Sequence, residues 1–336
     1  MQILERTKFT LCKVGLTKLI LLVLLLTIPS IIYVYTTNLK STTPNNLNND
    51  SVSPTDDYTE TSEDVTDNST HKYYLTERIN DTFLQRRKEE LKSDILDILA
   101  EDKDDYGVYI KSLDFDFELA INKDEHFYPA STIKVPIAIL VLRDIESGLY
   151  TLDTKLQLRE DHKHYTSDVM YYYPTGSYYS IETLLYNMIH YSDNSAWDML
   201  TDNMGTTAEV DARIKEELQL ENTHRINFET TATDMCYVLE NLYNYSYLTK
   251  DNSAYLLELL SDIVISQNDR IPQGVPEGTR VAHKIGSWKD TYQDVGIVYG
   301  EDFVYILVIL NRNTTVSKAR SQIISISEKT WDFFDN

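Results

Sequence analysis

The sequence predicts an α+β domain: a five-stranded antiparallel sheet flanked by helices, with an all-helical lobe inserted between its second and third strands. Three observations lead there. Two strand-like runs follow a first amphipathic helix, helical periodicity then dominates from Ser131 to about Leu260, and three closely spaced strand-like runs precede a last helix. The sheet is thus assembled from both ends of the chain, and neither lobe is complete without the other.

Taken in order, apolar residues at 84, 91, 95, 98 and 99 recur at helical spacing among charges, and "EDKDDYG" ends that helix. "YGVYIKSL" and "FELAINKD" alternate with the period of a strand across a short acidic turn, which predicts a hairpin. Helices are expected over 131–147, 180–190, 193–204, 206–218, 232–247 and 251–264. "TRVAHKIGSW", "QDVGIVYG" and "DFVYILVILN" supply the last three strands, and "SKARSQIISISEKTWDFF" closes the chain as an amphipathic helix. Cys236 falls in an apolar helical pattern and reads as a buried thiol.

Ahead of this domain, at 81–336, the chain changes character twice. Leu19 to Tyr35 is almost uninterruptedly apolar and is preceded by Arg6, Lys8, Lys13 and Lys18. That pattern predicts an N-terminal transmembrane helix within residues 1–36, with its basic flank in the cytoplasm and the remainder of the chain outside. The run ends in "IIYVYTTN", without the small residues of a signal-peptidase site, so an uncleaved single-pass anchor in the cell membrane is expected. Residues 37–80 read as an acidic tether, because residues 37–70 carry seven acids, one base and almost no large apolar side chains. The net charge of −22, with no basic footprint beyond the anchor, argues against nucleic acid as a partner.

The chemistry gathers around three short stretches. "YPASTIKVPIAIL" places Ser131 and Lys134 three residues apart at a helix start, on one face. A serine hydroxyl is a weak nucleophile without a neighbouring base, and a lysine can serve once burial and the positive helix end disfavour its charged form. "YSDNSAWDML" places Ser192, Asp193 and Asn194 at a second helix start, where all three are also good caps. "VAHKIGSWKD" places Lys284 and Gly286 on a strand, and a glycine there lets a substrate approach the backbone. The seven histidines are scattered, and the nearest pair, His162 and His164, sits in a polar loop without cysteine partners, so neither metal nor cofactor is expected.

In order and type, these stretches resemble the Ser-x-x-Lys, Ser-Asp-Asn and Lys-Thr-Gly signature of the penicillin-recognising serine enzymes. "SIETLLYNMIHYSDNSAWDML", "TTATDM", "IPQGVPEGTRVAHK" and "DVGIV" extend the resemblance to the class A-related β-lactamase family over residues 83–336. The resemblance implies the β-lactamase/transpeptidase-like fold, with Ser131 as nucleophile, Lys134 as its base and Ser192 as proton donor to the leaving nitrogen. It implies that Asn194 binds the substrate's amide side chain and that Lys284 attracts its carboxylate, while Asp193 is structural. The backbone N–H groups of Ser131 and Ser287 would form the oxyanion hole. The substrate would be a β-lactam or a peptidoglycan stem peptide.

Two departures bear on activity. Ile285 stands where the family has a hydroxyl that helps hold the substrate carboxylate. The loop before the "TTATDM" helix, which in class A enzymes carries the glutamate that deacylates the enzyme, is short, with only thirty-eight residues from Ser192 to Thr230, and its "LQLENTHRINFETT" lacks the Glu-x-x-Leu-Asn pattern. Glu229 is the remaining candidate for the deacylation base, with Glu221 behind it. The tyrosines of "YYYPTGSYY" (171–179) would stack on a ligand or pack among themselves. His283 reads as strand packing. The resemblance therefore leaves three functions open: a β-lactamase, a D-alanyl-D-alanine peptidase that deacylates slowly, or a non-catalytic wall-binding domain.

Overall fold

The computed structural model describes residues 81–165, 168–263 and 269–335. The expected transmembrane segment and acidic tether lie outside the described residues. Among the described residues no helix is long and apolar enough to cross a membrane.

The expected elements form in the expected order. Helix α1 (Asp81–Leu99) leads through a 3-10 turn into β1 (Tyr106–Ser112) and β2 (Glu118–Ile121). The helical lobe follows as α2 (Lys134–Glu146), α3 (Ile181–His190), α4 (Asn194–Met204), α5 (Thr207–Leu218), α6 (Ala232–Tyr243) and α7 (Lys250–Ser261). A short ribbon, β3 (Lys155–Gln157) with β4 (Tyr178–Ser180), precedes α3 and is too brief to show an alternation in the sequence. Strands β5 (Arg280–Trp288), β6 (Thr291–Tyr299) and β7 (Val304–Asn311) and helix α8 (Val316–Asp335) complete the chain.

The sheet order is β2-β1-β7-β6-β5, antiparallel throughout, so the first and last thirds of the domain meet where β1 pairs with β7. Strand β7 reads as a continuous apolar run because both of its faces are covered. Tyr305, Leu307 and Ile309 pack with Leu91, Ile95 and Leu99 of α1 and Ile323 and Ile326 of α8. Ile306, Val308 and Leu310 point the other way, into the core shared with the helical lobe. Helix α2 is buried continuously from Lys134 to Leu142, which explains why it is apolar on every side.

Candidate active site

Ser131 does not start an α-helix. It lies in a 3-10 turn, Ala130–Ile133, and α2 begins only at Lys134. Thr132 tightens the turn: its N–H and its Oγ1 both donate to the Pro129 carbonyl, at 3.1 and 2.7 Å. Ala130 has φ +47°, and Ser192 across the site has φ +56°. Such backbone is strained for residues other than glycine by about 1–3 kcal/mol each and tends to gather at functional sites.

Ser131 opens into a cleft of about 330 Å³ that Lys134, Asn194, His164, Asp198 and Ser287 also line. Strand β5 forms one wall and lies hard against the turn. A Cβ on Gly286 would sit 2.8 Å from the Pro129 carbonyl and 3.1 Å from Ala130 Cβ. The glycine therefore serves the packing of strand on turn, where the sequence suggested close approach of a substrate.

The Lys134 amine reaches across the lobe instead of back along its own turn. It donates to the Ser192 carbonyl at 2.5 Å, to Asn194 Oδ1 at 2.8 Å and to Ser192 Oγ at 3.4 Å. A buried amine needs strong acceptors, and a carbonyl and an amide oxygen are better ones than a hydroxyl. Burial pushes Lys134 down to about 8, against the opposing pull of Asp168, Asp193 and Asp198. Lys284, fully buried on β5, donates to Ser192 Oγ at 2.9 Å and to the Ile285 carbonyl at 3.2 Å. Burial first, and then the charge of Lys134, hold it well below the ordinary lysine value. Ser131, Lys134, Ser192, Asn194 and Lys284 are thus brought together from a turn, two helix starts and a strand.

Two buried carboxylates hold the second helix start. Asp193 caps α4 by accepting from Ala196 N–H at 2.8 Å, and its other oxygen accepts from Met170 N–H at 2.8 Å. Asp168 accepts from the N–H groups of Asn194 and Ser195, both at 3.1 Å, and from Asn194 Nδ2 at 3.3 Å. That last bond turns Asn194 Oδ1 toward Lys134. Below β5, the buried Arg270 donates to Ser287 Oγ at 2.6 Å and to the carbonyls of Gly286 and Gln293.

Glu229 is not brought into the cleft. Residues 224–229 form a tight hairpin closed by paired backbone bonds between His224 and Glu229, at 2.9 and 3.2 Å, and Glu229 faces His126 at 3.5 Å. Phe228, with φ +51°, lines the cleft instead and stacks on Tyr128 at 5.5 Å. Glu221 pairs with Lys215 at the surface. The tyrosines of 171–179 pack on one another, Tyr171 with Tyr172 and Tyr173 with Tyr179. The aromatic walls of the cleft come from Tyr128, Trp197, Phe228 and Trp288. His283 packs within the sheet with its Nδ1 on Asp294 at 2.9 Å.

Sequence reasoning missed Asp168, Arg270 and the pairing of His164 with Asp198, whose Nε2 and Oδ2 lie 2.6 Å apart. A signal for the last existed in Asp198 standing four residues after Asn194 on one helix face. Nothing local tied it to His164.

A five-stranded antiparallel sheet beside a helical lobe, with a serine lining the cleft and two buried lysines converging on a second serine beside it, defines the β-lactamase type of serine hydrolase. The chain belongs to the β-lactamase enzyme family, whose model matches residues 90–334. Over 244 residues it is 28% identical to β-lactamase VEB-1 of Pseudomonas aeruginosa, covering 65% of this chain and 81% of that one. In fold it resembles the acyl-enzyme complex of a PBP-A mutant with penicillin G, with a TM-score of 0.69 and 24% identity over 74% of this chain and 97% of that one. A β-lactamase of Chitinophaga pinensis gives a TM-score of 0.68 and 22% identity over 74% of this chain and all of the other.

Proposed function

We propose that this chain hydrolyses the amide of β-lactams through an acyl-enzyme on Ser131, from a domain held outside the cell membrane by residues 1–36. The observation that carries the reading is that Ser192 Oγ receives the amines of both Lys134 and Lys284 beside the cleft that Ser131 lines. Lys134, with a value near 8, is neutral in roughly a tenth of molecules at pH 7 and takes the Ser131 proton as Oγ attacks the lactam carbonyl. The backbone N–H groups of Ser131 and Ser287 stabilise the oxyanion, a contribution whose loss costs about a hundred- to a thousand-fold elsewhere. The proton passes through Ser192 Oγ to the departing nitrogen.

Lys284 draws in the substrate carboxylate, whose negative charge raises the amine back toward its charged form. The Ile285 side chain has no hydroxyl to donate to that carboxylate. The Ser287 hydroxyl can donate, because its oxygen accepts from Arg270 and leaves its proton free for the substrate. Asn194 offers its amide to the acyl side chain, and Trp288, 54% exposed, supplies an apolar rim.

A second reading, a D-alanyl-D-alanine peptidase acylated by β-lactams but slow to release them, is favoured by the Glu229 carboxylate facing His126. Mixing the full-length chain, in detergent, with a chromogenic cephalosporin separates the two while protein mass is followed. Sustained turnover with a transient adduct, both lost in Ser131→Ala, is the expected result. A lasting adduct would favour the peptidase, and no adduct at all would sink both. Recovery of the chain in the soluble fraction of cells would overturn the anchor.

A further inference from the structure

We propose that His164, held by Asp198, is the base that activates the deacylating water in this enzyme; the inference rests on the acyl-enzyme reading above. The hydrolysis needs a base on the water, and neither remaining glutamate of the short loop faces the cleft, since Glu229 meets His126 and Glu221 meets Lys215. His164 and Asp198 both line the cleft that contains Ser131 and Lys134. Their contact, Nε2 to Oδ2 at 2.6 Å, has the form of a carboxylate fixing an imidazole in one tautomer. With Nε2 donating to Asp198, the lone pair lies on Nδ1, which has no hydrogen-bond partner among the described residues, and the side chain is 43% exposed.

The pair is positioned from two sides. The His164 backbone N–H donates to Ser195 Oγ at 3.2 Å, tying the histidine to the start of α4. Asp198 stands one turn beyond Asn194 on that helix, within the fields of Lys134 and of Arg225, whose guanidinium lies 5.1 Å over the Trp197 ring. A carboxylate held at that place on the helix orients the histidine.

In the step itself, His164 Nδ1 takes a proton from water while the water oxygen bonds to the acyl carbon, and the carbonyl pair moves onto the oxyanion. Collapse breaks the bond from that carbon to Ser131 Oγ. The proton returns from His164 through the Lys134 amine to Ser131 Oγ, which restores the neutral imidazole and the free hydroxyl and releases the product acid. Asp198 is a positioning residue and His164 the catalytic one.

The test follows the mass of the full-length chain after a pulse of chromogenic cephalosporin, for wild type, His164→Ala and Asp198→Asn, with thermal unfolding to verify that each is folded. His164→Ala is expected to prolong the adduct by about 10²- to 10⁴-fold while changing its formation far less, and added imidazole to shorten it again. Asp198→Asn is expected to prolong it by a smaller factor. Adduct lifetimes equal to wild type in both variants would overturn the dyad and leave the Ser131 reading intact, as would a wild-type adduct that does not decay. Loss of lifetime control in Asp198→Asn alone would overturn His164 as the base. Absence of any wild-type adduct or turnover would overturn the underlying reading together with this one.

Discussion

Lys134 and Lys284, 150 residues apart in the chain, share one hydroxyl: Ser192 Oγ accepts from the first at 3.4 Å and from the second at 2.9 Å. Two buried amines around one oxygen cannot both be comfortable as cations, and burial holds both below the ordinary lysine range. The arrangement makes protonation of the site dependent on pH within reach of experiment.

The rate of acylation is expected to rise with pH and level off, with a midpoint near 8. The sign follows from the role: the base works when neutral, the neutral fraction of Lys134 grows as pH passes upward through its value of about 8, and above that it saturates. Rapid-mixing acylation with a cephalosporin between pH 6 and 10 measures it. A profile flat through this window would remove Lys134 as the base.

Ser287→Ala is expected to raise KM for carboxylate-bearing β-lactams by about tenfold, the worth of one hydrogen bond to a charged group in a half-open site, with a smaller effect on kcat. Its backbone N–H remains, so the oxyanion contact survives. Equal KM in variant and wild type would show that the Ser287 hydroxyl does not reach the substrate.

Gly286→Ala is expected to destabilise the fold by about 1–3 kcal/mol and to slow acylation, since the new methyl group meets the Pro129 carbonyl at 2.8 Å and moves β5 off the Ser131 turn. Thermal unfolding and acylation kinetics on one preparation give both effects. An unchanged Tm would mean that the turn yields without cost.

Asp193→Ala is expected to cost about 2–4 kcal/mol, the sum of a lost helix cap and of a buried Met170 N–H left without its acceptor. Denaturant unfolding measures it. A loss under about 0.5 kcal/mol, the range of an ordinary surface change, would contradict this.

The elements were legible because each is a local pattern. Strands β5, β6 and β7 declare themselves by β-type runs, and helices α3 to α7 by apolar spacing and by caps such as Ser180, Asp193 and Thr206. The short ribbon of β3 and β4 left no period to read, and the turn at Ser131 looked like a helix start because a 3-10 turn and an α-helix present nearly the same first residues. Glu229 stood at a plausible spacing, yet a hairpin bond to His224 and a positive φ at Phe228 decide which side chain enters the cleft.

By itself the sequence determined the order of elements, the meeting of the two chain ends in one sheet, and the order of the stretches holding Ser131, Ser192 and Lys284. Burial periodicity and motif spacing are properties of neighbouring residues, and they survive without knowledge of the fold. Tertiary structure alone decided that Lys134 turns to Ser192 and Asn194, that Arg270 holds Ser287, and that His164 meets Asp198. Those contacts join residues 17 to 60 positions apart, where buried polar groups take whatever strong partners the packed helices and strands bring within reach.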